Sequence, residues 1–346
     1  MNYTQSVQAL FKPFTFKTLT LSNRIVMAPM TRQYSPDGVP GMDVAEYYRR
    51  RAENGVGLIV TEGTVINHPD SSNQMNVPHF FGEAALNGWA KVVAAVHEVG
   101  GKIIPQIWHI GARGNVGEYS ESEISEIVDA FAQAAFEAKQ LGFDGIELHG
   151  AHGYLIDQFF WEKTNSRTDR YGGDMVRRTR FAVEVIEACR RAVGTEFPLV
   201  LRFSQWKGSD YTAKLAKTPS ELEQFLAPLV DAGVDIFHCS TRRFWEPEFE
   251  DSPLNLAGWT KKLTGKPTIT VGSVGLDGEF LSSLTEGKGA GNAKIDGLID
   301  RLERGEFELV AVGRALLVDP SWARKIRDGR TDELIPFTSE ALKTLY

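Results

Sequence analysis

The segment Ser120–Tyr154 has the sequence SESEISEIVDAFAQAAFEAKQLGFDGIELHGAHGY. Ser120 and Glu123 have the spacing of a capping box, in which a serine hydroxyl and a glutamate satisfy free backbone N–H groups at a helix start. Helical spacing continues over residues 124–140, and Gly142 stands where a glycine commonly ends a helix. Residues 144–149 then predict a strand. The segment is therefore a helix followed by a strand, the unit from which α/β proteins are built.

Eight short apolar or β-branched runs occur along the chain, with helical stretches between them. They lie at residues 25–29, 57–61, 102–108, 144–149, 198–203, 234–239, 267–272 and 307–313. The other helices are predicted to start near Asp43, Gly82, Met175, Thr218 and Pro320. The runs are apolar enough to be buried on both faces, as parallel strands of a barrel are. Nearly every run ends in polar or glycine residues, which is the layout of a (β/α)8 TIM-barrel enzyme.

Two further features concern the domain organisation. The alternating stretch Phe14–Leu21 predicts an N-terminal β-hairpin that closes the bottom of the barrel. No linker rich in proline, glycine or serine divides the chain, so residues 1–346 are expected to form a single barrel domain.

Composition narrows the class of protein. Of the 346 residues, 42% are apolar and 24% are charged, which is typical of a globular protein with a large core. The net charge of −7 and the lack of a basic block argue against nucleic-acid or anionic-membrane partners. Two cysteines are too few for a disulfide framework or an iron–sulfur cluster. Neither a signal peptide nor a transmembrane run is visible, so we expect a soluble cytoplasmic enzyme, monomeric or homodimeric.

Six short motifs follow one another along the chain. They are Ala28–Arg32 (APMTR), Thr61–Gly63 (TEG), Gln106–Trp108 (QIW), His149–Leu155 (HGAHGYL), Asn165–Gly173 (NSRTDRYGG) and Val312–Arg314 (VGR). In this combination, from about Phe11 to Asp319, the chain resembles the Old Yellow Enzyme family of FMN-dependent ene-reductases. The resemblance implies noncovalent FMN, NAD(P)H as the reductant and a small activated alkene, an α,β-unsaturated carbonyl or nitro compound, as the substrate.

The residues expected to bind FMN divide between its two ends. A phosphate dianion suits close backbone N–H groups and a guanidinium, and the ends of the last two strands offer both. These phosphate-site candidates are Gly272, Ser273, Gly313 and Arg314. For the ring, the Gln106 amide can both donate and accept, and Arg202 would place a positive charge at the N1–C2 carbonyl edge. Thr31 resembles the family's hydroxyl near the C4–O4 group of the flavin. Backbone contacts to the ring and part of the wall of its site would come from Pro29, Met30 and Gly63.

The motif His149–Tyr154 carries the predicted catalytic groups. His149 and His152 lie three residues apart just past a strand end, and we expect both imidazoles to hold the carbonyl or nitro oxygen of the substrate. Tyr154 resembles the family's proton donor. The resemblance implies that hydride passes from the flavin to the β-carbon on one face of the alkene, and that Tyr154 gives a proton to the α-carbon from the opposite face. A tyrosine pKa of roughly 10 suits that role. Trp108, Phe244 and Trp245 are further candidates for substrate contacts.

One departure from the family and two alternatives remain. The segment 110–119 is short where relatives carry a longer excursion, which leaves the roof of the pocket and the substrate range open. A metal-dependent TIM-barrel hydrolase would use His109, His149 and His152 as ligands, although acidic partners are scarce at the strand ends. A barrel that binds FMN without turnover would not need the proton donor. The physiological substrate and the choice between NADH and NADPH are not readable from the sequence.

Overall fold

The computed structural model describes residues 6–278 and 287–346. Eight parallel strands form a closed barrel, ordered along the chain so that the last strand pairs with the first. The barrel strands are β3 Ile25–Met27, β4 Leu58–Val65, β5 Ile103–Trp108, β6 Ile146–His152, β7 Leu199–Lys207, β8 Ile236–Ser240, β9 Thr268–Val271 and β10 Leu309–Val312. All eight predicted strands are therefore confirmed, and the (β/α)8 fold with them.

Helices follow the strands on the outside of the barrel. They are α1 Met42–Glu53, α2 Glu83–Glu98, α3 Glu121–Gln140, α4 Leu155–Phe160, α5 Met175–Arg178, α6 Arg180–Val193, α7 Pro219–Ala232, α8 Leu256–Thr264, α9 Asp296–Glu303, α10 Arg314–Val318 and α11 Trp322–Arg327. The capping box of Ser120 and Glu123 is present at the start of α3. The helix starts expected near Asp43, Gly82, Met175 and Thr218 are confirmed, whereas that expected near Pro320 falls at Trp322.

The predicted hairpin is present as β1 Phe14–Phe16 and β2 Leu19–Leu21. Its buried side chains pack with Val26, Leu58 and Ile236 from inside the barrel, and Lys17 forms an ion pair with Asp235 just before β8. Because these partners lie toward the amino ends of the strands, the hairpin closes the bottom of the barrel. The chemistry is thereby restricted to the opposite, carboxyl-terminal mouth.

A second and larger apolar core fills the space between the barrel and the helices.

No helix in the described part of the chain is long and apolar enough to cross a membrane.

Candidate active site

A buried polar network crosses the mouth of the barrel. The Nε2 atom of Gln106 donates to Glu147 Oε1 at 2.8 Å, and His238 Nδ1 lies 2.7 Å from Glu147 Oε2. Since an ionised carboxylate only accepts hydrogen bonds, these contacts orient the Gln106 amide and place the proton of neutral His238 on Nδ1. The Gln106 amide oxygen remains available as an acceptor. Burial lowers the pKa of His238 and so favours its neutral form.

Arg202 lies in the same layer, paired in the sheet with His149 on one side and His238 on the other. Its side chain is buried, and within residues 6–278 and 287–346 it forms no ion pair and its Nε atom has no hydrogen-bond partner. Its Nη2 atom donates to Ser240 Oγ at 3.4 Å. Burial lowers its pKa, although Glu147 nearby opposes that effect. A buried guanidinium that keeps unused donors is suited to an anionic or carbonyl edge of a ligand.

The loop after β3 carries Pro29 and Met30, both half-buried, and the exposed Thr31. Glu62 holds this loop, because its Oε2 accepts hydrogen bonds from the backbone N–H groups of Arg32 (2.8 Å) and Gln33 (3.1 Å). Burial raises the pKa of Glu62 from 4.5 to about 7, in spite of those two hydrogen bonds.

Gly63 supports the indole of Trp108, which lies close against its backbone. A Cβ atom at residue 63 would approach Trp108 Cε3 to 2.4 Å, so only glycine leaves the ring in this position. Gly63 and Gln106 are also partners in the β4–β5 ladder. Trp108 follows Gln106 by two residues on β5, so the two side chains leave the same face of the strand.

The predicted phosphate residues meet at the ends of β9 and β10. Gly272 has a φ of +145°, and a Cβ atom there would lie 2.8 Å from the Thr241 carbonyl oxygen and 2.9 Å from the Arg243 nitrogen. The Nη2 atom of Arg314 donates to Ser273 Oγ (3.4 Å) and to the Gly278 carbonyl (2.8 Å). Gly313 directly precedes helix α10. The structure therefore brings all four residues of this group together.

These observations fit FMN at the barrel mouth. The phosphate group would lie at the Gly272 and Arg314 end, where the lack of a side chain at Gly272 lets the end of β9 approach the backbone of Thr241 and Arg243 closely. The ring would meet Gln106, whose amide oxygen is not used in the Glu147 contact, and Arg202, whose buried Nε atom has no hydrogen-bond partner. The donors match the ligand in charge, because a dianionic phosphate and electron-rich carbonyl edges both accept from guanidinium groups.

His149 and Tyr154 form an aromatic group with Trp108. The ring of Tyr154 packs edge-on against His149 at 4.7 Å and against Trp108 at 5.0 Å between centroids. The Nδ1 atom of His149 accepts from the Ala151 backbone N–H at 3.3 Å, so neutral His149 carries its proton on Nε2. Burial, followed by Arg202, lowers the pKa of His149 well below 6.5 and keeps the ring neutral. His149 therefore presents a neutral N–H donor.

His152 lies beside His149, with the two rings 5.3 Å apart and nearly perpendicular. Its Nε2 atom lies 2.8 Å from Ser240 Oγ, and its ring stacks on Trp206 at 4.3 Å. Burial and then Arg202 lower its pKa well below 6.5. The predicted pair is thus brought together, but Ser240 already engages one ring nitrogen of His152.

The turn between His152 and Tyr154 is held from below by a buried ion pair. His152 and Gly153 both have positive φ angles, 64° and 88°. Asp157 accepts the Gly153 N–H through Oδ2 at 2.7 Å and the Lys207 ammonium through Oδ1 at 2.5 Å, and both charged side chains are 0% exposed. The ion pair and the hydrogen bond to Gly153 therefore stabilise the left-handed backbone of His152 and Gly153, which places Tyr154 against His149.

The segment 110–119 packs closely onto the same turn. Gln158 Nε2 donates to the carbonyl groups of Gly111 (3.1 Å) and Gly153 (2.9 Å), which joins the two loops. Arg113 pairs with Asp70 and Glu123. At the other end of the segment, Arg167 Nη1 donates to the carbonyl groups of Val116 (2.7 Å) and Tyr119 (2.6 Å), so the short segment is held at both ends.

Three other candidates lie apart from this group. Phe244 is buried in the outer core, and Trp245 is 43% exposed, so their predicted substrate contacts remain predictions. His109 uses Nδ1 to accept from Gly111 N and Nε2 to contact His68 Nδ1. The three histidines of the hydrolase alternative are therefore not assembled, and the described residues contain no group of three His, Cys, Asp or Glu placed for a metal.

Four buried groups that shape the site were not predicted from the sequence. They are Glu62, Glu147, His238 and the Asp157–Lys207 pair. A signal for two of them was present, because Glu147 and His238 each interrupt an apolar strand, where burial of a polar group is costly without a partner. Their partners, however, lie 41 and 91 residues away in the chain.

Comparison with known proteins agrees with this geometry. A model of the NADH:flavin oxidoreductase / NADH oxidase family matches residues 9–120 and 114–333. The chain is 34% identical to an NADH oxidase of Thermoanaerobacter brockii, over 94% of this chain and 52% of that protein. It is 31% identical to an NADPH dehydrogenase of Bacillus subtilis, over 91% of this chain and 93% of that protein.

The chain spans about half the length of the first curated relatives it matches, with 52%, 57% and 50% of their lengths matched. A solved structure of a morphinone reductase variant in complex with tetrahydroNAD superposes with a TM-score of 0.79 at 26% identity, covering 96% of this chain and 93% of that one. The extent of the family match and the shared fold agree with the resemblance seen in the six motifs. The chain therefore belongs to the Old Yellow Enzyme family of FMN-dependent, NAD(P)H-linked oxidoreductases.

Proposed function

We propose that the protein is an ene-reductase, which uses electrons from NAD(P)H to reduce the C=C bond of an α,β-unsaturated carbonyl or nitro compound. The observation that carries the proposal is the contact between Tyr154 and His149 near the buried guanidinium of Arg202, whose Nε atom has no hydrogen-bond partner. It combines a hydroxyl donor and a neutral N–H donor at the mouth of a barrel whose other end is closed.

Each residue has a distinct task in this proposal. His149 donates its Nε2–H to the carbonyl or nitro oxygen and so withdraws electrons from the alkene. His152, beside it, helps to hold the same oxygen. Burial raises the pKa of Tyr154, which keeps the hydroxyl protonated and able to donate to the α-carbon. FMN, when bound, would accept a hydride from NAD(P)H and deliver one to the β-carbon. Because nicotinamide and alkene would occupy the same face in turn, we propose ping-pong turnover.

The first experiment uses the purified yellow protein. NAD(P)H is expected to bleach the flavin absorbance, and 2-cyclohexenone is expected to restore it under anaerobic conditions. Bleaching without restoration by any enone or nitroalkene would favour FMN binding without this turnover. No bleaching by either nucleotide would contradict the proposal as a whole.

The second experiment separates the two half-reactions with Tyr154→Phe. The variant keeps the ring that packs on His149 and Trp108 but loses the proton donor. We expect unchanged bleaching by NAD(P)H and reoxidation by cyclohexenone that is slower by about 100-fold, the lower range for a general acid. Tyr346→Phe, at an exposed C-terminal position, is the matched control and should leave both rates unchanged. Loss of the bleaching step alone would show that Tyr154 has another role.

A further inference from the structure

A cavity of about 320 Å³ lies within the segment that joins β4 to α2. We call it the loop cavity, and it is lined by Val65, Val77 and Phe81 together with polar residues that include His68, Gln74 and His79. Its volume is at the lower end of the range for small-molecule sites. None of the predicted catalytic or FMN-binding residues lines it.

The lining of the loop cavity contacts two elements of the predicted site. On one side, Val65 and Val77 belong to the apolar cluster of Trp108, against which Tyr154 packs. On the other side, Gln74 Oε1 accepts a hydrogen bond from Gln33 Nε2 at 3.2 Å. Gln33 lies two residues after Thr31, one of the residues predicted to contact the FMN ring. The cavity lining and Tyr154 therefore pack against the same apolar cluster, and a substituent that extends past this cluster from a substrate at Tyr154 could reach the cavity.

The lining of the cavity is polar but carries no formal charge. It contains no aspartate, glutamate, lysine or arginine, and burial lowers the pKa of both His68 and His79. The proton of neutral His68 can be assigned. His109 Nδ1 accepts from Gly111, so His109 donates through Nε2 to His68 Nδ1, and the His68 proton lies on Nε2. His68 therefore offers an N–H donor to a ligand.

We propose that the loop cavity binds an uncharged, hydrogen-bonding substituent of the alkene substrate, such as a hydroxyalkyl or amide group. The inference rests on the proposed ene-reductase function and names the substrate class more closely. A carboxylate or ammonium would lose its hydration without gaining a counter-charge in this lining. A purely alkyl group would leave the His68 donor without a partner.

The test compares cyclohexenones that carry n-butyl, 3-hydroxypropyl or 2-carboxyethyl groups, attached in turn at ring carbons 4, 5 and 6. At one position at least, we expect KM for the hydroxypropyl compound to be fivefold or more below that of the butyl compound, with the carboxyethyl compound weakest. Dissociation constants of the saturated cyclohexanones with the same groups, measured from the flavin absorbance, should show the same order without turnover.

His68→Phe keeps a flat ring but removes the N–H donor, and it should abolish the preference while leaving kcat and KM for unsubstituted cyclohexenone within twofold. Gln74→Leu is a second variant at the cavity, should the first fail to fold. Gln133→Leu, on the exposed face of α3, is the matched control and should keep the preference.

The outcomes separate the two proposals. Equal KM and equal dissociation constants for hydroxypropyl and butyl compounds at all three positions would overturn the cavity assignment, even if cyclohexenone is reduced. A preference that survives in both His68→Phe and Gln74→Leu would also overturn it. A failure to reduce any enone, with the preference still present in binding of the saturated ketones, would instead count against the ene-reductase function alone.

Discussion

The Asp157–Lys207 ion pair gives a quantitative prediction, because both side chains are 0% exposed. At 2.5 Å and an effective dielectric constant of about 20, their attraction is about 7 kcal/mol. The cost of removing both charges from water is several kcal/mol for each ion, so the net contribution of the pair is small. Removal of one partner alone is different, since the remaining charge keeps its cost without the attraction.

Asp157→Asn tests this reasoning cleanly. The amide oxygen of asparagine can still accept the Gly153 N–H, whereas its NH2 group then faces the Lys207 ammonium, so the charge and its hydrogen bond to Lys207 are lost together. We expect a loss of about 3–5 kcal/mol in the free energy of unfolding. The double variant Asp157→Asn/Lys207→Met removes both charges and should regain a large part of that loss. Lys343→Met, at an exposed ion pair near the C-terminus, is the control and should cause no measurable change.

The assay is guanidinium unfolding followed by tryptophan fluorescence, with the flavin content held equal, because a bound ligand shifts apparent stability. The interaction free energy is obtained from the complete double-mutant cycle, which includes Lys207→Met. If the double variant is no more stable than Asp157→Asn, the buried-charge explanation is refuted. A phenol, whose oxygen would take the place of the substrate oxygen at His149, reports on the same turn. Tighter phenol binding by Asp157→Asn would contradict the inference that the ion pair supports the His152–Tyr154 turn.

Two further predictions concern Glu62 and Gly63. Because the Glu62 carboxyl has a folded pKa of about 7 against 4.5 in the unfolded chain, its contribution to stability is fully present below pH 4.5. That contribution, roughly 3 kcal/mol, is lost as pH rises through 7. The buried histidines, whose pKa values are lowered, have the opposite pH dependence, but they are common to the wild type and Glu62→Gln. Unfolding experiments at pH 5 and pH 8 should therefore show that the wild type loses stability relative to Glu62→Gln by about this amount; an equal pH dependence in the two proteins would contradict the assignment. Gly63→Ala would place a Cβ atom 2.4 Å from the Trp108 ring, and it should lower stability by about 1–3 kcal/mol and reduce the FMN content. Gly297→Ala, with open space around the new Cβ, is its control; equal flavin content in the two variants would show that the Trp108 position is unimportant.

Local patterns were sufficient to predict the eight barrel strands, the N-terminal hairpin and the longer helices. The capping box at Ser120 and the glycine at residue 142 depend on neighbours within a few residues, and the structure has both. The barrel strands were found because each is a short apolar run, buried on both faces. Helices α4, α8, α9 and α10 were not predicted, and three of them are shorter than nine residues, which gives little periodicity to detect.

The sequence by itself determined the barrel, the order of its strands and the set of polar groups at one end, because the carboxyl ends of parallel strands must share one face. Only the tertiary structure decided which of those groups are partners. Gln106, Glu147 and His238 come from three strands, and Asp157 meets Lys207 across 50 residues of chain. Such contacts depend on closure of the barrel and on its register. The tautomer of His149 and the raised pKa of Glu62 depend on them too, since each is set by burial and by neighbours that no local pattern specifies.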